Sequence, residues 1–237
     1  MGRLRSQSIL GNKLKVQIIT PWYPSLSHPY RGVFVKNQVR ALREIGVDVD
    51  VEVPTIFPAP RGPVPPLIWD GADQLAMQNP DLIFPIIGGA VQIPCPVPSG
   101  SGIPGRFTSF TNGLRMKRNY LPVDADLEHV HVGLPTAASI ASLSDRPLVI
   151  TEHSSQAATQ CSVPAIAELY RKALESSSAF ICVSGFLQRE ISESLNVEIN
   201  SKWKVVPNIV NFDSFSFVRR EKFQCSSWIY VGALMTI

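Results

Sequence analysis

The feature that most limits what this 237-residue chain can become is a repeated switch between short β-rich runs and segments of helical period. "LKVQIIT" (14–20) reads as a strand, and "GVFVKNQVRALREIG" (32–46) follows with Val35, Val39, Leu42 and Ile45 at helical spacing. Gly46 then stands where a helix C-terminus needs a left-handed residue. "VDVDVEV" (47–53) alternates with period two and reads as a second strand. In the second half, strands are expected at 128–132, 147–151, 179–183 and 203–207. Helices are expected over 135–143, over 163–178, and after Ser184, an N-cap for a segment carrying Leu187, Ile191 and Leu195. Strands alternating with helices imply parallel βαβ units: a Rossmann-like open, mostly parallel α/β sheet with helices on both faces. Between these halves, 54–66 and 92–105 are rich in Pro and Gly and read as loops.

Composition narrows the class. Hydrophobic residues make up 45% and charged residues 17%, enough apolar material for a core. A net charge of +3 tolerates an anionic ligand but is too small to argue for nucleic acid. The cysteines at 95, 161, 182 and 225 show no C-x-x-C spacing, so neither a disulfide framework nor a zinc site is expected, and a reducing, cytoplasmic setting fits. No apolar run approaches the roughly 20 residues of a membrane span, and no apolar core precedes Lys13 to make a signal peptide. The cluster Arg115, Lys117 and Arg118 reads first as a solvated helix face and second as a peripheral membrane contact.

Ligands of open α/β sheets collect outside the carboxyl ends of the strands, where strand order reverses. The segments after each strand therefore carry the candidates. Gly32 ends a Pro-rich loop and opens a helix, a place where an anion meets free N–H groups, or where glycine serves turn geometry alone. His129 and His131 are assigned to opposite faces of their strand, which makes H-x-H a poor metal pair. His131, nearer the strand end, is the better ligand contact, and His129 a packed core residue. Glu152 and His153 follow the next strand directly, and such a pair is most often structural. Neither the P-loop pattern nor a G-x-S-x-G elbow is present.

In this order, "TPWYPSLSHPYRGVFVKNQVRALREIGVDVDV", "DLEHVHVGLPTAASIA", "PLVITEHSS", "AFICVSGFLQREI" and "KVVPNIVNFDSF" resemble the N-terminal domain of family-4 glycosyltransferases. The resemblance spans most of 14–215 and is weakest over 54–125. It implies a GT-B architecture, two Rossmann-like domains facing across a cleft, with the N-terminal one holding the acceptor. It implies retaining, metal-independent transfer from a nucleotide-diphosphate sugar, which is a co-substrate and not a cofactor. By resemblance, Gly32 approaches donor phosphates or the transferred sugar, His131 is the catalytic cleft histidine, and His153 lines the acceptor side. Ser184 and Asn208 shape the cleft near the domain junction.

The same resemblance divides the chain into a flexible start (1–13), the acceptor-side domain (14–218) and a linker (219–225). Residues 226–237, with "VGAL", match the first strand of a C-terminal domain, with Ala233 where many members carry Arg. The expectation is an N-terminal half, inactive by itself, that meets a nucleotide-sugar only when a C-terminal domain is supplied. Its partner is a glycan or lipid acceptor, set by loops 54–66 and 92–119, and it binds no nucleic acid. The alternative is a noncatalytic acceptor-binding module or one half of a split enzyme.

Overall fold

The computed structural model describes residues 13–59 and 77–210. Eight strands form one sheet in the order β3-β4-β2-β1-β5-β6-β7-β8. They are β1 (Lys15–Ile19), β2 (Asp48–Ala59), β3 (Ile86–Ile87), β4 (Ala90–Pro98), β5 (Leu127–His131), β6 (Leu148–Glu152), β7 (Ala179–Cys182) and β8 (Trp203–Val205). All pairings are parallel except the short β3–β4 hairpin. Four longer helices are α1 (Val33–Glu44), α2 (Gly102–Tyr120), α3 (Pro164–Ser176) and α4 (Gly185–Leu195). The chain builds leftward from β1 through β2 to the edge, then returns through α2 to lay β5 on the other side of β1. The reversal point expected to host a ligand is therefore the crevice beyond β1 and β5.

Residue parity sorts the two faces. Val16 and Ile18 of β1 pack with Val49, Val51 and the inner stripe of α1, Val35 and Val39. The opposite face carries the larger core, where Val130 and Ile150 meet Phe110 and Leu114 of α2, Tyr170 of α3, and Ile191 and Leu195 of α4. Helix α1 stops at Glu44, one residue short of the last apolar position, leaving Ile45 exposed and Gly46 at φ 92 as the terminator. Cys95, Cys161 and Cys182 are buried free thiols, as expected, and burial pushes the Cys161 thiol up to about 11 and Cys182 to about 12.

Over their described residues, 54–59 and 92–105, the two Pro-rich segments are not the loops their composition predicts, and 60–66 lie outside the described residues. β2 runs on to Ala59, β4 covers Ala90–Pro98, and α2 begins at Gly102. The reason lies in which side of the strand lacks an N–H. Gln92 donates outward to the Pro85 carbonyl, so Pro94, Pro96 and Pro98, of the same parity, turn their missing donors to the open edge. In β2, even-numbered residues face β1, which pairs no further than Glu52, so Pro54 and Pro58 lie past its end.

The basic cluster on α2 is likewise not a solvated face. Arg115 is exposed, but Lys117 is 6% exposed with Nζ 2.5 Å from Glu52 Oε1, and Arg118 pairs with the buried Glu128. Glu52 in β2 and Glu128 in β5 flank β1, so the two ion pairs clip the end of α2 across the centre of the sheet. Two of the three cations are thus unavailable to a membrane surface. Burial holds the Glu52 carboxyl above its usual range despite Lys117. Removing one partner leaves an uncompensated buried charge, so Lys117→Met should cost about 3 kcal/mol in urea denaturation. The double variant Glu52→Leu/Lys117→Met should recover most of that loss.

Candidate functional site

The site is built around a carboxylate. Glu152 closes β6 with no solvent exposure and accepts four hydrogen bonds. Its Oε1 takes the N–H groups of His153 (2.9 Å) and Ser154 (2.8 Å), and its Oε2 takes Gly133 N–H (2.8 Å) and the Tyr170 hydroxyl (2.6 Å). One side chain thereby ties the turn after β5, the turn after β6 and helix α3 together. Burial pushes its pKa up, and the hydroxyl and the three backbone donors oppose that shift. The turn needs such a tie because Val132 is held at φ 75, a conformation that costs a β-branched residue about 1–3 kcal/mol. Gly133 must be glycine, since a Cβ there would lie 2.2 Å from the Tyr170 ring.

On the α1 face, four rings form a column. His129 and His131 stack with centroids 4.5 Å apart, His131 and His153 at 5.2 Å, and His153 and Phe34 of α1 at 4.5 Å. The expectation that His129 and His131 face opposite sides of the sheet is wrong. Residues two apart in a strand share a face, and these two rings lie against each other. His129 Nε2 bonds Thr151 Oγ1 at 2.7 Å, which makes it the packed core residue expected. His131 Nδ1 and His153 Nε2 are 2.9 Å apart, so one ring donates and the other accepts. Burial drives all three rings toward the neutral form: His129 and His153 to about 4, and His131 well below its ordinary value.

The remaining candidates divide. Asn208 acts on the His153 ring and offsets part of its shift, so it joins the cluster. Gly32 is the N-cap of α1 at φ 64, and a Cβ there would fall 1.9 Å from the Trp22 carbonyl oxygen. Turn geometry alone thus requires glycine at this position, while Phe34, two residues on, brings the helix start to His153. The Ser184 hydroxyl accepts the Leu187 N–H at 3.1 Å and caps α4, the N-cap role expected of it. His131 has no exposed surface and meets its surroundings through His153. Among the described residues, no group of three or more His, Cys, Asp or Glu side chains could hold a metal.

On the α2 side of the same edge lies a cavity of about 150 Å³, lined by segments that follow β1, β5 and β6 and by the first turns of α2. Trp22, Arg31 and Arg106 in its wall are functional candidates that reading the sequence passed over. Trp22 and Arg31 lie in the segment after β1, and only the crossing of α2 over the strand ends brings Arg106 into the same wall.

With this geometry in place, comparison decides the family. A sequence model of glycosyltransferase family 4 matches residues 32–214. The chain belongs to glycosyltransferase family 4. It is 28% identical over 190 residues to TuaC of Bacillus subtilis (strain 168), provisionally described as a teichuronic acid biosynthesis glycosyltransferase. That match covers 75% of this chain and 46% of TuaC, so the chain spans about half the length of the curated relative it matches. Among solved structures, a sucrose-phosphate synthase from Thermosynechococcus elongatus is 13% identical with a TM-score of 0.49, covering 84% of this chain and 92% of that one. The UDP-GlcNAc 2-epimerase of Methanocaldococcus jannaschii is 14% identical with a TM-score of 0.46, covering 82% and 46%. Neither likeness bears on activity. The observed sheet is the Rossmann-like layer expected of the family's N-terminal half. The assignments to 1–12, to the linker at 219–225 and to the strand at 226–237 lie outside the described residues.

For the family-4 domain the histidine column sets a pH dependence of stability. The folded pKa values lie below the unfolded value of about 6.5, so the unfolded chain binds more protons between roughly pH 6.5 and 4. This contribution is complete above pH 6.5 and is lost as pH falls through that window. Glu152 and Glu52, with raised values, oppose it by losing stability as pH rises from about 4.5. Urea unfolding at pH 7.5 and 5.5 should show the fall, and His129→Gln should make it shallower.

Proposed function

We infer that residues 13–210 form the acceptor-side wall of a retaining glycosyltransferase. The enzyme transfers a sugar from a nucleotide-diphosphate donor to a glycan or lipid acceptor without a divalent metal. The observation that carries this reading is the family match over 32–214, supported by the His131–His153 pair at the carboxyl ends of β5 and β6. TuaC's description points to polysaccharide biosynthesis as the setting, and a cytoplasmic location is part of the same reading. Among the described residues no helix is long and apolar enough to cross a membrane.

The chemistry is one of positioning and charge. Retaining transfer needs the acceptor hydroxyl beside the departing phosphate oxygen, and a neutral imidazole can hold such a hydroxyl by hydrogen bonding. His153 is the partly exposed member of the pair, and His131 behind it fixes which nitrogen of His153 carries a proton. The start of α1 at Gly32 presents free N–H groups and the positive end of the helix dipole to developing phosphate charge. In this reading the donor's nucleotide belongs to the second domain of a GT-B architecture, across the cleft.

Purified 1–237 incubated with UDP-sugars and an oligosaccharide acceptor should give no transfer above background, with or without EDTA. Sustained transfer by this chain alone would contradict the division of labour between two domains. Saturation-transfer NMR on the same sample should detect sugar binding, and His153→Ala should weaken it by roughly tenfold, the loss of one well-placed hydrogen bond.

A further inference from the structure

The cavity on the α2 side has a charge pattern that the family reading leaves unused. Arg31 and Arg106 line it, both side chains are exposed, and neither makes an ion pair among the described residues. The one acidic residue in the lining is Glu152, whose oxygens are already committed to four hydrogen bonds and which has no exposed surface. The two guanidinium groups therefore line the cavity with no ion-pair partner among the described residues. Guanidinium groups offer planar, forked donors suited to carboxylate and phosphate.

The rest of the lining suits a sugar ring. Trp22 is half-buried, with its backbone N–H and carbonyl both bonded to the Thr20 hydroxyl (3.1 and 3.2 Å) and its ring edge-on to Phe34. A fixed aromatic ring supplies an apolar platform, while Ser154, Gln156 and Gln160 supply hydroxyl and amide partners. At about 150 Å³ the space is well below the roughly 300–1,000 Å³ of drug-sized pockets, and it fits one terminal sugar unit.

We propose that this cavity selects an acidic acceptor: a glycan whose terminal unit carries a carboxylate or a phosphate, held by Arg31 and Arg106 over Trp22. The proposal rests on the acceptor-side reading above and names the substrate class of that same edge. Lys36, Arg40 and Arg43 line a second groove outside α1, where Arg40 pairs with Glu44 and Arg43 donates to the Val49 carbonyl, leaving Lys36 there without an ion-pair partner among the described residues.

The test is direct binding to the 237-residue chain at low ionic strength, using methyl β-glucuronide, glucose 1-phosphate, methyl β-glucoside and UDP as probes in calorimetry or ligand-observed NMR. At least one acidic sugar should bind about tenfold more tightly than the glucoside, and added salt should weaken that preference. Comparing the first two probes distinguishes carboxylate from phosphate. Arg31→Gln and Arg106→Gln should each cut the preference several-fold and the double variant should abolish it. Lys172→Gln, which removes a surface charge on α3, should not change it. Both arginines are exposed, so unchanged circular dichroism melting would confirm intact folding. Equal, arginine-independent binding of glucoside and acidic sugars would overturn the proposal and leave the acceptor reading standing. Failure of every sugar to bind would overturn both. Arginine-dependent binding of UDP that excludes the acidic sugars would reassign the cavity to the donor and overturn the proposal.

Discussion

The Glu152 carboxylate is the interaction on which the site depends. A charged group with no exposed surface is costly unless its oxygens are fully partnered. Glu152 meets that condition by taking donors from the turn after β5, from its own turn and from α3. Because the donors come from separate elements, satisfying the carboxylate also fixes how those elements meet. The Val132 conformation and the close approach of Tyr170 to Gly133 are both held in place by that arrangement.

From this anchor the two sides of the strand edge diverge in character. The α1 face carries neutral rings in a column, with His153 outermost and a helix start beside it. The α2 face carries uncompensated positive charge around an aromatic ring. Neutral hydrogen bonding on one side and fixed cations on the other suit a reaction in which a hydroxyl must approach departing phosphate while the rest of the acceptor is held. The buried pairs Lys117–Glu52 and Arg118–Glu128 serve this indirectly, since they seat the helix that delivers Arg106 to the cavity.

How far the sequence discloses these features depends on whether they are local. The periods of 14–20, 32–46 and 147–151 reveal strands and helices because apolar spacing is a property of neighbours along the chain. Ser184 and Gly46 are legible for the same reason: capping is a local geometry. The strands at 54–59 and 90–98 are hidden because proline content reports a missing N–H and not which side of a strand it falls on. The inward turn of Lys117 and Arg118 is hidden because their partners lie 65 and 10 residues away. The shared face of His129 and His131, by contrast, was readable from strand period alone, and assigning them to opposite sides misapplied it. His153 and Asn208 join His131 through topology, so only their positions after strands could flag them; Trp22 and Arg31 share that signal in the segment after β1, while Arg106 lies inside α2.

The account stands most directly on Glu152 as the tie between separate elements. Native-state hydrogen exchange of Glu152→Ala against the parent chain measures it at the Gly133, His153 and Ser154 amides. Truncation removes both acceptor oxygens at once, so all three N–H groups should lose protection together. The β2–β4 amides, remote from that carboxylate, should hold theirs. Loss confined to His153 and Ser154, with Gly133 unchanged, would contradict the account, because the turn after β5 would then be held by something else.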